Sequence, residues 1–281
     1  MEKDKRKLQN IKGSYLVTLP KRWIDNYDLE KGSQVDVVTT DQGYLEISPE
    51  YREKKKKEKD VIKWDDHVIK RLAGSYFGGY GKIEINLPEE ISKEKREEFN
   101  GFLDRLMNVE IIEENSDRIV LKNFGIKDLE FSTAFRRMYY FVRSMFEDLL
   151  EGKTEHLKER DKQVDKFYFS VVMKLRSYIS KGEYATEEDV PLIKAVDYRM
   201  VSEKVERIAD IIKNLELTEE EKERARDLFE YFNKVIECFI NNEFEESCEL
   251  NYRYEELKGK IEKKELNRIL ELTKDISDLI R

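Results

Sequence analysis

The chain has 281 residues, 39% apolar and 41% charged, with a net charge of −8 and a mean hydropathy of −0.75. That length carries two or three domains with separate cores. No stretch approaches the roughly 18 apolar residues of a membrane helix, and the charged start lacks the apolar core of a secretory signal, so a cytoplasmic protein, not integral to a membrane, is expected.

The total charge conceals an uneven distribution. Through Arg22, seven basic residues (Lys3, Lys5, Arg6, Lys7, Lys12, Lys21 and Arg22) stand against Glu2 and Asp4, a net +5 that leaves −13 for the remainder. Such a basic end is either a polyanion contact, nucleic acid being the obvious polyanion, or a solubilising tail. Strand-like runs follow. Leu8–Leu19 contains Tyr15-Leu16-Val17-Thr18-Leu19, then Pro20 stops pairing and Lys21-Arg22-Trp23-Ile24 starts a short helix. Lys31-Gly32-Ser33 turns the chain into a half-buried strand at Val35 and Val37. Asp41-Gln42-Gly43 is a hairpin signal before Tyr44-Leu45-Glu46-Ile47. Four short strands and one helical turn cannot bury a core alone, since domains under about 40 residues need a metal, a disulfide or a partner chain. Without Cys or His here, a partner chain remains.

Gly13-Ser14-Tyr15-Leu16-Val17-Thr18-Leu19-Pro20-Lys21-Arg22-Trp23 and Leu29-Glu30-Lys31-Gly32-Ser33-Gln34-Val35 resemble the swapped-hairpin domain of the AbrB, SpoVT and MazE families. The resemblance implies that residues 1–50 form a DNA-binding and dimerisation domain with two interleaved chains. It carries DNA contact onto Lys5, Arg6, Lys7 and Lys12, with Lys21 and Arg22 added, as phosphate contacts that position without specifying sequence. Some relatives of this type only dimerise or bind partners.

Glu50–Asp60 is a charge run with no periodic apolar face, read as a linker. Residues 60–125 read as a small α/β domain: a helix over Trp64–Tyr76 ending at Gly78-Gly79, a strand at Ile83 and Ile85, and a Ser92-capped helix carrying Phe99, Phe102, Leu103 and Leu106 on one face. A hairpin of Val109–Ile112 and Arg118–Leu121 completes it. Gly78, Gly79 and Gly81 follow a helix rather than a strand, so they give no nucleotide-loop context. His67 stands alone.

Residues 126–281 read as all-helical, with helices over 127–151, 155–181, 187–216, 219–241, 243–258 and 262–281, and a capping box at Thr218-x-x-Glu221. Three helices followed by three suggest a duplication, 126–216 and 217–281. Cys238 and Cys248 lack metal-type spacing and are expected to be reduced structural residues. Asp161 and Asp165, and Glu206 and Asp210 in Glu206-Arg207-Ile208-Ala209-Asp210, each stand four apart, so each pair shares a helix face. If the two helices pack side by side, four carboxylates converge, a donor set for a hard or borderline cation such as Mg, Mn or Fe. The spacing equally describes a solvated face, because Val201, Val205, Ile208, Ile212 and Leu215 form the buried stripe and the acids lie away from it.

Those two pairs in a helical half of this kind resemble the PhoU family, phosphate-uptake regulators built of two three-helix repeats. The resemblance implies a divalent or iron-type metal ion on Asp161, Asp165, Glu206 and Asp210. In the second repeat Asn251 and Glu255 stand for the first pair, and Glu271 and Asp275 offer the second. Aligning Glu206 with Glu271 sets Thr273 and Ser277 opposite core residues. A one-residue shift instead aligns Ile208, Ile212 and Leu215 with Leu272, Ile276 and Leu279, so a degenerate second site is expected. No nucleophile–base set suggests an enzyme. The two resemblances together imply a dimeric, phosphate-responsive transcription regulator. The alternative is a regulator that leaves DNA alone and docks on a phosphate transporter ATPase or its sensor kinase.

Overall fold

The computed structural model describes residues 5–39, 43–49, 59–125, 129–181 and 190–280. It divides into two units, Met1–Lys56 and Lys57–Arg281. Asp41, Gln42 and most of the Glu50–Asp60 charge run lie outside the described residues.

The first unit pairs β1 (Gln9–Ile11) with β2 (Ser14–Leu16), carries the short α1 (Lys21–Asn26), and pairs β3 (Val35–Thr39) with β4 (Leu45–Pro49). Four short strands are thus present among the described residues, two of them as a hairpin within Leu8–Leu19. Lys12 and Gly13 both take positive φ, 51° and 89°, the backbone that lets a two-residue turn follow the strand twist. The Asn10 side chain accepts from the Gly13 N–H at 3.3 Å. Pro20 starts α1, its carbonyl accepting from Trp23 and Ile24. None of the described residues of this unit is buried. Leu8, Tyr15 and Leu45 are 71%, 74% and 65% exposed.

In the second unit, β5 (Asp60–Lys63), β6 (Lys82–Asn86), β7 (Val109–Glu114) and β8 (Arg118–Asn123) form one sheet in the order β5-β6-β8-β7. β5 runs parallel to β6, and the other pairs are antiparallel. The helix expected over Trp64–Tyr76 starts later, as α2 (Val68–Phe77), and β5 precedes it where no strand was expected. Asp65 causes the later start: its carboxylate accepts from the His67 N–H at 2.8 Å and its carbonyl from Val68, an aspartate turn that competes with helix. Ser92 caps α3 (Lys93–Leu103) as expected, by accepting from the Lys95 N–H. Leu106 falls beyond that helix. Ile62, Ile83, Ile85, Ile119 and Leu121 are buried together with Leu72 and Tyr76 of α2 and Phe99 of α3.

Among the described residues six helices follow: α4 (Phe131–Glu151), α5 (Leu157–Lys181), α6 (Leu192–Ile212), α7 (Glu219–Asn241), α8 (Phe244–Lys258) and α9 (Lys264–Ser277). Helices α4, α5 and α6 pack mutually, as do α7, α8 and α9, and α4 on α7 and α6 on α9 join the two groups. The contacts close into a single core in which Phe135, Phe146, Phe232 and Phe239 are fully buried. No helix among the described residues is long and apolar enough to cross a membrane. Cys238 is buried in the core, whereas Cys248 is exposed and packs no core, contrary to the expectation for it.

The α/β layer sits on α5. Phe169 of α5 meets Phe77 and Phe102 at ring distances of 5.4 and 6.0 Å, and the Ser170 hydroxyl lies 3.3 Å from the Met107 sulfur.

Candidate carboxylate centre

The buried row of α5 runs through Leu157, Asp161, Val164, Val171, Leu175 and Tyr178, with Asp165 beside it. Asp161 and Asp165 are each only 3% exposed. Burial of a charge without a partner is costly, so their surroundings decide what they are for. On α6, which packs against α5, Glu206 and Asp210 are half-buried. Of the two readings the spacing left open, a fully solvated face does not describe this pair, since both acids are half-buried.

Two cations sit among the acids. Lys213, just after α6, donates to Asp161 Oδ2 at 2.8 Å and to Asp210 Oδ1. Arg105, in the turn after α3, brings Nη1 to 2.9 Å from Asp165 Oδ2. That contact is an ion pair by distance only: Asp165 Oδ2, Arg105 Nε and Asp161 Oδ1 are buried without a hydrogen-bond partner. Glu206 has none among the described residues. Sequence reasoning missed both cations. Lys213 was legible as a basic residue three after Asp210, one helical turn on, while Arg105 reaches the site from another layer and left no local signal.

The electrostatics follow from burial and like charge. Desolvation, reinforced by Asp210, Asp165 and Asp161, pushes the Glu206 carboxyl up to about 7. Desolvation also raises Asp165 to about 6, with Arg105 pulling down and Asp161 and Asp210 pushing up. Asp161 is raised by burial against the pull of Lys213. Asp161, Asp165 and Asp210 thus act on Glu206, and Asp161 and Asp210 on Asp165. The four acids do not close to ligand distance: the group of described residues whose ligand atoms gather within 4.8 Å is Cys238, Glu243 and Glu246 instead. That trio is a poor cation site, because burial raises the Cys238 thiol and Lys234 already holds Glu246 at 2.9 Å.

The corresponding residues of the last three helices form no such centre. Asn251, Glu255, Glu271 and Asp275 are exposed; Glu271 pairs with Arg268 at 3.1 Å and Asp275 with Lys204 at 2.9 Å. Leu272 and Ile276 are buried, as the shifted register requires, but so are Thr273 and Ser277. The polar pair therefore does not expose the core. Thr273 satisfies its hydroxyl by donating to the Ile269 carbonyl at 2.8 Å.

The six basic residues assigned to DNA lie in the first unit and are all exposed: Lys5, Arg6 and Lys7 before β1, Lys12 in the hairpin turn, Lys21 and Arg22 opening α1. Residues 135–215 match the family model described as PhoU domain. No curated protein and no solved structure matches the chain.

Proposed function

We propose that this chain is a phosphate-responsive, non-enzymatic transcription regulator that works as a homodimer. The first unit pairs with a second copy through interleaved hairpins and grips DNA, and the helical body senses phosphate status through a cation held by its carboxylates. The observation that carries the sensing half is that Asp161, Asp165, Glu206 and Asp210 all fall inside the segment matching the PhoU domain and lie on the packed helices α5 and α6, the first two buried and the others half-buried. Helices α4–α6 and α7–α9 are read as two PhoU-type repeats, the second with a degenerate site.

The residues suit a hard or borderline cation. They offer carboxylate oxygens alone, and the buried Asp161 Oδ1 and Asp165 Oδ2 lack the hydrogen-bond donor that a buried oxygen demands. Asp161, Asp165, Glu206 and Asp210 would hold the ion, whose charge would offset the mutual repulsion of these acids and offer phosphate a positive partner. For the first unit, the support is physical: apolar strands with no buried residue among those described call for a second chain, and the +5 segment suits a phosphate backbone.

A salt series of binding to DNA from upstream of its own gene tests the DNA half. Each phosphate contact contributes about −0.9 to the slope of log affinity against log salt. The K5A/R6A/K7A/K12A variant is expected to bind far more weakly with a slope several units shallower. Weak binding that is the same in both proteins would overturn the DNA reading and favour docking on a phosphate transporter or its kinase.

A further inference from the structure

Arg105 is the one member of the carboxylate centre that belongs to the α/β layer. It stands where that layer meets α5, beside the contacts of Phe169 with Phe77 and Phe102 and of Ser170 with Met107. The side chain of its partner Asp165 is almost fully buried, whereas that of Arg105 is 39% exposed. Although the charges approach to 2.9 Å, neither Arg105 Nε nor Asp165 Oδ2 completes a hydrogen bond. A desolvated ion pair without aligned hydrogen bonds recovers little of its desolvation cost, so a better partner for Asp165 displaces the arginine readily. Lys213 stands differently: it is held by two carboxylates, Asp161 and Asp210, and it belongs to the bundle.

We propose that Arg105 is a tethered counter-cation of the carboxylate centre, which a divalent cation gaining Asp165 displaces, loosening the seat of the α/β layer on α5. The inference rests on the cation reading above and adds to it a route out of the site. Two positive charges cannot share Asp165 at contact distance without strong repulsion, so cation binding and the Arg105 latch are linked reciprocally. What the rest of the protein registers is then the seating of the α/β layer, held otherwise by Phe169 and Met173 packed against its core and by Ser170 against Met107.

The test uses the full chain, with Mn2+ as the probe, and reads Mn2+ affinity by calorimetry and seam protection by amide hydrogen exchange in segments 102–107 and 166–173. In wild type, Mn2+ is expected to speed exchange in both segments. R105M is expected to bind Mn2+ about tenfold more tightly, with a seam that exchanges fast before Mn2+ is added and responds no further. K213M is expected to bind more tightly too, yet keep wild-type seam protection until Mn2+ arrives, and D165N to lose most Mn2+ binding. Should R105M fail to fold, R105K, which keeps the charge but loses the guanidinium fork, is expected to move affinity the same way by about threefold. If wild type binds Mn2+ while R105M binds no more tightly, or the seam ignores Mn2+, the latch is wrong and the cation reading stands. If neither wild type, R105M nor K213M binds Mn2+, the cation reading falls and the latch with it.

Discussion

Asp161 occupies a position where the rest of its row is hydrophobic. From Leu157 the row advances by alternating steps of four and three through Asp161, Val164, Tyr168, Val171, Leu175 and Tyr178, the spacing of a helix seam. A carboxylate in such a row was legible in the sequence as a buried acid, beyond its membership of a pair. Glu206 gives the residue-scale prediction. Its carboxyl titrates near 7 in the folded chain against an ordinary 4.5, so the folded state holds this proton more tightly than the unfolded state. Stability is therefore gained as pH falls from about 7 to about 4.5, and the penalty is fully present above 7. The facing groups are Asp161, Asp165 and Tyr168 on α5, Asp210 on its own helix, and Lys213 just after that helix. In chelator, E206Q is expected to be more stable than wild type at pH 7.5 by about 1 kcal/mol, after discounting the shift for partial exposure. That gain is expected to vanish near pH 5, as chemical denaturation at both pH values would reveal. A variant less stable than wild type at pH 7.5 would contradict the buried-charge account.

Among the elements, α7 shows which features a sequence announces. Its capping box is local: Thr218 accepts from the Glu221 N–H, and the Glu221 carboxylate accepts from the Thr218 N–H at 2.8 Å and from Lys263 at 3.1 Å. T218A is expected to cost about 1 kcal/mol, measured by urea denaturation. F232A, which empties a position fully buried in the bundle, is expected to cost about 3–5 kcal/mol. If T218A proved the more damaging of the two, the ranking of cap below core would be wrong. β5 was illegible for the opposite reason. Its strand character depends on parallel pairing of Asp60–Lys63 with Ile83–Asn86, a distant partner, while the helical pattern of α2 close behind drew the reading forward. The helix periods survived because they repeat within a few residues. Arg105 did not, because only the docking of the α/β layer on α5 brings it to Asp165.

For the whole molecule, the first unit matters most, since a chain segment with no buried residue among those described has no stability of its own to offer. Composition already pointed there, in the lack of Cys and His and the shortness of the strands. Y15K/L16K places charge on two exposed apolar strand positions, 74% and 45% exposed in the single chain. Wild type is expected to sediment as a dimer and this variant as a monomer, with helical circular dichroism unchanged. Equal sedimentation of both would remove the case for pairing through this hairpin. The account as a whole joins two ends of one chain, so its most direct test is a coupling measurement: affinity for DNA from upstream of its own gene, with and without Mn2+ and inorganic phosphate, in wild type and in E206Q/D165N. Coupling free energies between sites run at about 1–3 kcal/mol. Wild-type affinity is therefore expected to change at least about fivefold when both ligands are added, and the variant's affinity to stay fixed. DNA affinity that is the same with and without the ligands in wild type would contradict a phosphate-responsive DNA regulator.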